Sequence, residues 1–169
     1  MGVTIHFEGR LRDESAYRAV LDTVTQFAKQ HQWPSRPITE TETTLKRVRA
    51  EVDWDYVGPT KGVELIPHVD SEPFRLEFDD RLYIQEFIKT QFAPIEVHIA
   101  VCELLSSLKP YFAELTVEDE GEYFTTTKLD VLVGHRDRIF KVLEDIRAKN
   151  PAVRILVRFG NGRIFDFEQ

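Results

Sequence analysis

The chain has 169 residues, of which 42% are hydrophobic and 30% are charged, and its formal net charge is −7. This length and composition predict a single domain over residues 1–169 whose core needs no disulfide or metal. The single cysteine, Cys102, excludes an internal disulfide and a cysteine-based zinc site, and is typical of a reducing compartment. No apolar run approaches the roughly 18 residues of a membrane-spanning helix. We therefore expect a cytoplasmic protein that does not enter membranes.

The negative charge is concentrated in the middle of the chain. Residues 62–122 contain 14 acidic and 4 basic residues, a net charge of −10, whereas the rest of the chain is net positive. A field of this sign repels phosphate backbones and attracts cationic partners or metal ions. We therefore expect no nucleic-acid partner. The acidic segment is either a surface that binds a basic protein or a solvated surface that keeps the protein soluble.

The chain begins with a predicted strand and helix. Val3, Ile5 and Phe7 alternate with polar residues, which is the period of a half-buried strand. Apolar residues then recur at helical spacing, which predicts a helix that is capped by Asp13 and ends before Pro34. These apolar residues are Tyr17, Val20, Leu21, Val24, Phe27 and Ala28.

The next segment predicts several short strands. Residues 34–44 are rich in Pro, Ser and Thr and indicate a connection, whereas every second residue from Val48 to Tyr56 is apolar, which predicts a strand. The turns VGPTKG and PHVDSEP flank a short apolar strand, and residues 74–78 alternate again. Residues 82–92 fit either a strand or a helix.

The second half of the chain predicts two more amphipathic helices. One begins at Pro94 and has Leu104 near the centre of its apolar face, and the other has Phe140 in that position. A strand lies between them, and a hairpin around the turn GNG follows. The predicted order is β-α-β-β-β-(β)-α-β-α-β-β. Because strands joined by short turns pair antiparallel, we expect an α+β fold, a two-layer sandwich of a mostly antiparallel sheet and three amphipathic helices.

Most kinds of catalytic site have no matching motif in this sequence. Cys102 lies inside a predicted helix without a basic residue nearby in the chain, which is typical of a buried structural thiol. The serines form no G-x-S-x-G or S-x-x-K motif, and the turn GPTKG lacks the spacing of a phosphate-binding loop. The histidines form no H-E-x-x-H motif. We therefore predict no metal and no cofactor, and favour a protein without enzymatic activity.

One stretch could still form a catalytic site. His68, Asp70 and Glu72 are two positions apart, so their side chains would lie on the same face of an extended segment and could converge. Glu77 lies on the charged face of the following strand. A histidine with carboxylates can act as a general acid and base, with or without a divalent metal. The flanking prolines favour a turn instead. These four residues are the catalytic candidates.

The acidic turn VEDEGEY is a second candidate, because it brings Glu118, Asp119, Glu120 and Glu122 close together. The turn lacks the residue pattern of a calcium-binding loop. Strand alternation places Glu118 and Glu120 on one face and Asp119 on the other. We interpret these four residues as candidates for binding a partner, the alternative being a solvated turn.

The run GPTKG…IPH…EPFRLEF…YIQEFIKTQFAP…VEDEGEY, from Gly58 to Tyr123, resembles a group of small uncharacterised bacterial proteins with a domain of unknown function. The resemblance implies a stand-alone bacterial cytoplasmic domain. It transfers no activity and no catalytic residues.

Two functional hypotheses follow. The first is a non-enzymatic interaction protein, immunity- or adaptor-like, whose acidic face binds another protein with a basic surface. The second is a small hydrolase or a ligand- or metal-binding enzyme that uses His68 with nearby carboxylates. A homodimer that pairs through sheet edges is also compatible with the sequence.

Overall fold

The computed structural model describes residues 2–50 and 52–168, and these contain ten strands and four α-helices. The strands are β1 Thr4–Leu11, β2 Ser35–Leu45, β3 Val48–Arg49, β4 Val52–Asp53, β5 Tyr56–Leu65, β6 Phe74–Phe78, β7 Tyr83–Lys89, β8 Phe112–Asp119, β9 Arg154–Arg158 and β10 Ile164–Glu168. The helices are α1 Glu14–His31, α2 Ile95–Leu108, α3 Tyr123–Thr126 and α4 Leu129–Lys149. Helices mixed with antiparallel sheets confirm the predicted α+β class.

Two three-stranded antiparallel sheets, with strand orders β7-β1-β8 and β2-β5-β6, form the centre of the molecule. A tight turn connects them between β6 and β7, where the Asp79 amide donates to the Tyr83 carbonyl oxygen over 3.0 Å. Without the inserted strands β2–β5, the elements β1, α1, β6, β7, α2 and β8 run in the order β-α-β-β-α-β. A fold does not by itself determine function, so function must be inferred from the site.

The two faces of the sheets differ in polarity. In β1, Ile5 and Phe7 are buried, whereas His6 and Glu8, which alternate with them, are exposed on the opposite, outer face. Helices α1 and α2 cover the buried face with apolar side chains. The main helical contributors to this core are Val20, Val24, Ala28, Val101, Leu104, Leu105 and Leu108.

The long helices follow their sequence signals. The side chain of Asp13 accepts a hydrogen bond from the Ala16 amide over 2.8 Å, which confirms the predicted N-cap of α1. Gln32 adopts the left-handed conformation that ends this helix. In the two described stretches of chain, no helix has the length and apolarity needed to cross a membrane.

The predicted connection at residues 34–44 is wrong, because this segment forms β2. Its register with β5 runs from Ser35 opposite Leu65 to Leu45 opposite Tyr56. Threonine is β-branched and suits a strand, and Pro37 is tolerated because β2 lies at the edge of its sheet. The ambiguous residues 82–92 contain the strand β7 rather than a helix.

The long strand predicted from Val48 to Tyr56 is also wrong. The structure has a small hairpin here, with the two-residue arms β3 and β4, and the side chains of Val48 and Val52 are exposed. Arg47 is buried instead. Its guanidinium pairs with Asp79 at 2.8 Å, so the charged residue is the one that anchors this segment.

Glu64 connects three strands on the outer face of the β2-β5-β6 sheet. Its carboxylate is buried and binds Arg36 of β2 at 2.6 Å and Arg75 of β6 at 2.9 Å. Burial alone would raise the pKa of Glu64, but the hydrogen bonds from Arg75 and Arg36 outweigh this and hold the pKa below its ordinary value. Arg75 therefore already has a charged partner within the chain.

Candidate binding cleft

A cleft of about 830 Å³ lies on the outer face of the sheets. Its volume is within the roughly 300–1,000 Å³ that is typical of ligand-binding sites. Strands β1, β7 and β8 form its floor, residues 44–50 form one wall, and the turn between β9 and β10 forms the other. The cleft is lined by many charged side chains, namely Glu8, Lys46, Arg49, Arg75, Glu77, Glu86, Glu118 and Arg163.

Strand alternation and register build the floor. His6 points to the outer face, and the antiparallel pairing places Phe87 of β7 and Glu118 of β8 on either side of it. The ring centroids of His6 and Phe87 are 5.5 Å apart. The floor therefore combines an aromatic surface with a carboxylate.

Arg163 holds the β9–β10 hairpin against the floor. Its guanidinium carbon lies 3.8 Å from the centre of the Phe87 ring, and its Nη2 donates to Glu86 over 2.7 Å. Burial raises the pKa of Glu86, although the positive charge of Arg163 opposes that rise. The cation–π contact and the ion pair together fix this wall.

The opposite wall is fixed by hydrogen bonds to the backbone. The side-chain amide of Gln85 accepts from the Val48 amide and donates to the Val48 carbonyl oxygen, both over 2.9 Å. Next to it, the buried Arg47 donates to the carbonyl oxygen of Tyr83 over 3.3 Å. Residues 44–50 are therefore tied to β7 at two neighbouring positions, Tyr83 and Gln85.

The charges of the cleft are unequally compensated. Three of its cations have carboxylate partners, since Lys46 pairs with Asp55, Arg75 with Glu64 and Arg163 with Glu86. Within residues 2–50 and 52–168, no cation pairs with the cleft carboxylates Glu8, Glu77 or Glu118. The fourth cation, Arg49, lies over the ring of Trp54 and has no carboxylate partner among the described residues. Three carboxylates and one cation are therefore unpaired, which leaves the uncompensated charge of the cleft negative.

Of the predicted catalytic residues, His68 and Asp70 lie together in the turn before β6. Nδ1 of His68 accepts a hydrogen bond from the Asp70 amide over 3.0 Å and lies 3.9 Å from Oδ2 of Asp70. Both side chains are partly exposed. Neither residue lines the cleft.

The other two predicted catalytic residues, Glu72 and Glu77, differ in their environment from His68 and Asp70 and from each other. Glu72 is buried and accepts the amides of Ile164 at 2.8 Å and Lys89 at 3.0 Å, so it ties the β9–β10 hairpin to β7. Glu77 lines the cleft and accepts the Thr60 hydroxyl over 2.7 Å. The four predicted residues are therefore divided among a turn, a structural tie and the cleft.

The acidic turn shows the predicted alternation of its side chains. Glu118 and Glu120 are exposed, whereas the side chain of Asp119 is buried beneath them. Asp119 accepts the amides of Gly121 at 2.7 Å and Phe124 at 2.9 Å. This carboxylate therefore organises the turn and is not available to a surface partner.

The other acidic residues of the turn also differ from one another. Glu120 accepts the Thr4 amide over 2.9 Å, and Glu122 lies 2.7 Å from the ring of His135. Glu118 lines the cleft. Of the four residues predicted to bind a partner, Glu118 is the one that the fold brings to the cleft.

Sequence reasoning missed one cluster, formed by His98, Cys102 and Asp119. The predicted burial of Cys102 is confirmed, but His98 lies one helical turn before it on the same face of α2. Burial and the negative charge of Asp119 raise the pKa of the Cys102 thiol. A protonated thiol is a poor nucleophile, so the cluster is not suited to covalent catalysis. The signal for this cluster in the sequence was the spacing of four residues between His98 and Cys102, which places both on one face of a helix.

Comparisons of this chain with protein-family models, with curated proteins and with solved structures gave no match. The resemblance of residues 58–123 to small bacterial proteins stays a prediction.

Proposed function

We propose that this protein is a non-enzymatic interaction module that binds a basic, extended segment of another protein in the outer-face cleft. The observation that carries the proposal is the charge of the cleft. Its carboxylates Glu8, Glu77 and Glu118 have no ion-pair partner in the described part of the chain, whereas all of its cations except Arg49 do; the paired cations are Lys46, Arg75 and Arg163. A lysine or arginine side chain from a partner would complement this charge.

The two hairpins that contribute to the cleft walls favour a protein partner over a small ligand. The β3–β4 hairpin presents the exposed side chains of Val48 and Val52, and the β9–β10 hairpin presents Phe159 and Phe165. Exposed apolar side chains around a polar groove are typical of surfaces that contact other proteins. The proposed partner segment therefore combines basic residues for the floor with apolar residues for the two hairpins.

Other partners are less well supported. A second copy of the chain carries the same net charge of −7, and nucleic acid carries negative phosphates, so both are electrostatically unfavourable. A hydrolase or metal enzyme built on His68 is the alternative, and its support is limited to the contact between His68 and Asp70. An immunity- or adaptor-like role in the cytoplasm belongs to the same proposal, and the single cysteine agrees with that compartment.

The proposal is tested by selecting peptides from a random library displayed on phage against the immobilised protein. We expect the enriched peptides to be rich in Lys and Arg with interspersed apolar residues. Glu118→Lys should weaken the binding of a synthesised enriched peptide by about tenfold, because a repulsive contact replaces an attractive one. Glu144→Lys is the matched control, since Glu144 is exposed on α4 and lies outside the cleft.

Three results would contradict the proposal. The first is enrichment of peptides without basic residues, and the second is an equal loss of affinity in Glu118→Lys and Glu144→Lys. The third is a stable dimer in size-exclusion chromatography that Glu118→Lys dissociates, because the cleft would then bind a second copy.

A further inference from the structure

The buried cluster of His98, Cys102 and Asp119 lies on the helix side of the sheet, away from the cleft floor. His98 and Cys102 are one turn apart on α2, and Asp119 ends β8 on the face that α2 covers. The ligand atoms of the three side chains lie within 4.8 Å of one another. No other group of three His, Cys, Asp or Glu side chains in residues 2–50 and 52–168 meets this criterion.

The spacing of these atoms suits tetrahedral coordination. Zinc binds nitrogen and carboxylate oxygen at about 2.0–2.2 Å and thiolate sulfur at about 2.3 Å, which separates nitrogen from oxygen by about 3.3 Å and sulfur from oxygen by about 3.6 Å. In the structure, Nε2 of His98 lies 3.0 Å from Oδ1 of Asp119. Sγ of Cys102 lies 3.6 Å from the other carboxylate oxygen, Oδ2. With one ligand atom from each residue, the three atoms lie within 4.8 Å of one another, so small side-chain movements would bring them around one ion.

The ring of His98 supplies a second, independent observation. Its Nε2 is buried and, among the residues that the structure describes, has no hydrogen-bond partner with acceptable geometry despite the nearby carboxylate. Its Nδ1 lies 2.7 Å from the hydroxyl of Thr90, which itself donates to the Val3 carbonyl oxygen. Whether Nδ1 or the Thr90 hydroxyl donates depends on the tautomer of His98, and in both cases Nε2 faces Oδ1 of Asp119. The contact between this ring nitrogen and the carboxylate oxygen is bridged either by a proton or by a metal ion.

The surroundings match those of metal sites. Metal-binding histidines are oriented by an outer hydrogen bond of their second ring nitrogen, and here Nδ1 shares a hydrogen bond with the Thr90 hydroxyl. Gly121 closes the cluster, and a Cβ there would lie 3.1 Å from Nε2 of His98 and 3.2 Å from Oδ1 of Asp119. The same Cβ would lie 2.6 Å from Cδ1 of Leu132, so a side chain at this position would crowd both the cluster and its apolar cover.

We propose that His98 Nε2, Cys102 Sγ and a carboxylate oxygen of Asp119 bind one zinc ion. Imidazole with thiolate favours zinc over calcium or magnesium, which prefer oxygen ligands. Three protein ligands leave a fourth position for water. This site revises the expectation of no metal, and it is independent of the cleft and its partner.

The test is a titration of the chelator-treated full chain with Co²⁺, which takes tetrahedral zinc sites and reports sulfur ligation by a charge-transfer absorption in the near ultraviolet. We expect one equivalent to bind with this absorption and to be displaced by Zn²⁺. Cys102 is the single cysteine, so the absorption identifies its sulfur as a ligand. Zn²⁺ should also raise the melting temperature.

Variants separate this site from metal binding at the surface. Cys102→Ser should abolish the charge-transfer absorption, whereas His135→Gln should leave it unchanged, because His135 and Glu122 form an exposed pair that could bind metal weakly. Saturating Co²⁺ without a charge-transfer absorption in the unmodified chain would overturn the proposal. In that case, the cluster would be a buried contact between the His98 ring and the Asp119 carboxylate without a metal ion. This result does not depend on whether any variant folds.

Discussion

Replacing Arg47 with Ala should destabilise the protein by about 3–5 kcal/mol, the cost expected when one partner of a buried ion pair is removed. Arg47 is 1% exposed, and its guanidinium pairs with Asp79 at 2.8 Å. Without Arg47, the buried carboxylate of Asp79 would lose its countercharge. We therefore expect the largest loss of stability at this position.

Aromatic packing adds to the effect of the ion pair. The guanidinium carbon of Arg47 lies 5.2 Å from the ring centre of Trp54, 5.3 Å from that of Tyr56 and 4.8 Å from that of Tyr83. Arg47→Lys keeps the charge but loses the planar group that fits between these rings, so it should cost less than Arg47→Ala but still be measurable.

Urea unfolding followed by circular dichroism measures these free energies of unfolding. Arg49→Ala is the matched control, because Arg49 is exposed on the same hairpin and lies 5.1 Å over Trp54. We expect this control to cost less than about 1 kcal/mol. Equal losses in Arg47→Ala and Arg49→Ala would show that Arg47 does not anchor residues 44–50.

Replacing Leu104 with Ala should cost about 2–5 kcal/mol, because the substitution leaves a cavity in a closely packed core. Leu104 is fully buried on α2 and belongs to the main hydrophobic cluster. Its position at the centre of the helix face was predicted from sequence spacing, and its burial is confirmed.

The stability cost of Phe140→Ala can be compared with that of Leu104→Ala, because both substitutions truncate an apolar side chain on a helix. It has the same central position on the predicted face of α4, but it is half-buried and contacts Phe92 edge-to-face with ring centres 6.1 Å apart. Phe140→Ala should therefore cost about half as much as Leu104→Ala. Equilibrium unfolding of both variants checks this order, and a larger loss at Phe140 would contradict the packing described for α4.

The helices were predictable because their signals are local. The Asp13 cap and the apolar spacing behind it define α1 within 20 residues of sequence, and the structure confirms both. The segment from residue 34 to residue 56 was not predictable in this way. An edge strand needs no apolar face, and the burial of Arg47 depends on Asp79, which lies 32 positions later in the chain.

The cleft could be predicted only in part. Alternation in β1 and β8 correctly placed His6 and Glu118 on a polar face, but register decides that these residues are neighbours, and register is not visible in one sequence. The hairpin that brings Arg163 to Phe87 follows β7 by more than 60 residues. By contrast, the spacing of His98 and Cys102 was present in the sequence, whereas the approach of Asp119 required the fold.

The most direct test of the proposed function is to map an enriched basic peptide onto the protein by nuclear magnetic resonance. We predict that titration of the ¹⁵N-labelled chain with this peptide shifts the backbone amide signals of His6, Gln85 and Glu118 on the cleft floor. The signals of α1, which lies on the opposite face of the sheet, should stay unchanged. Shifts confined to α1, to α4 or to the β2 edge, with an unperturbed cleft floor, would contradict the proposal.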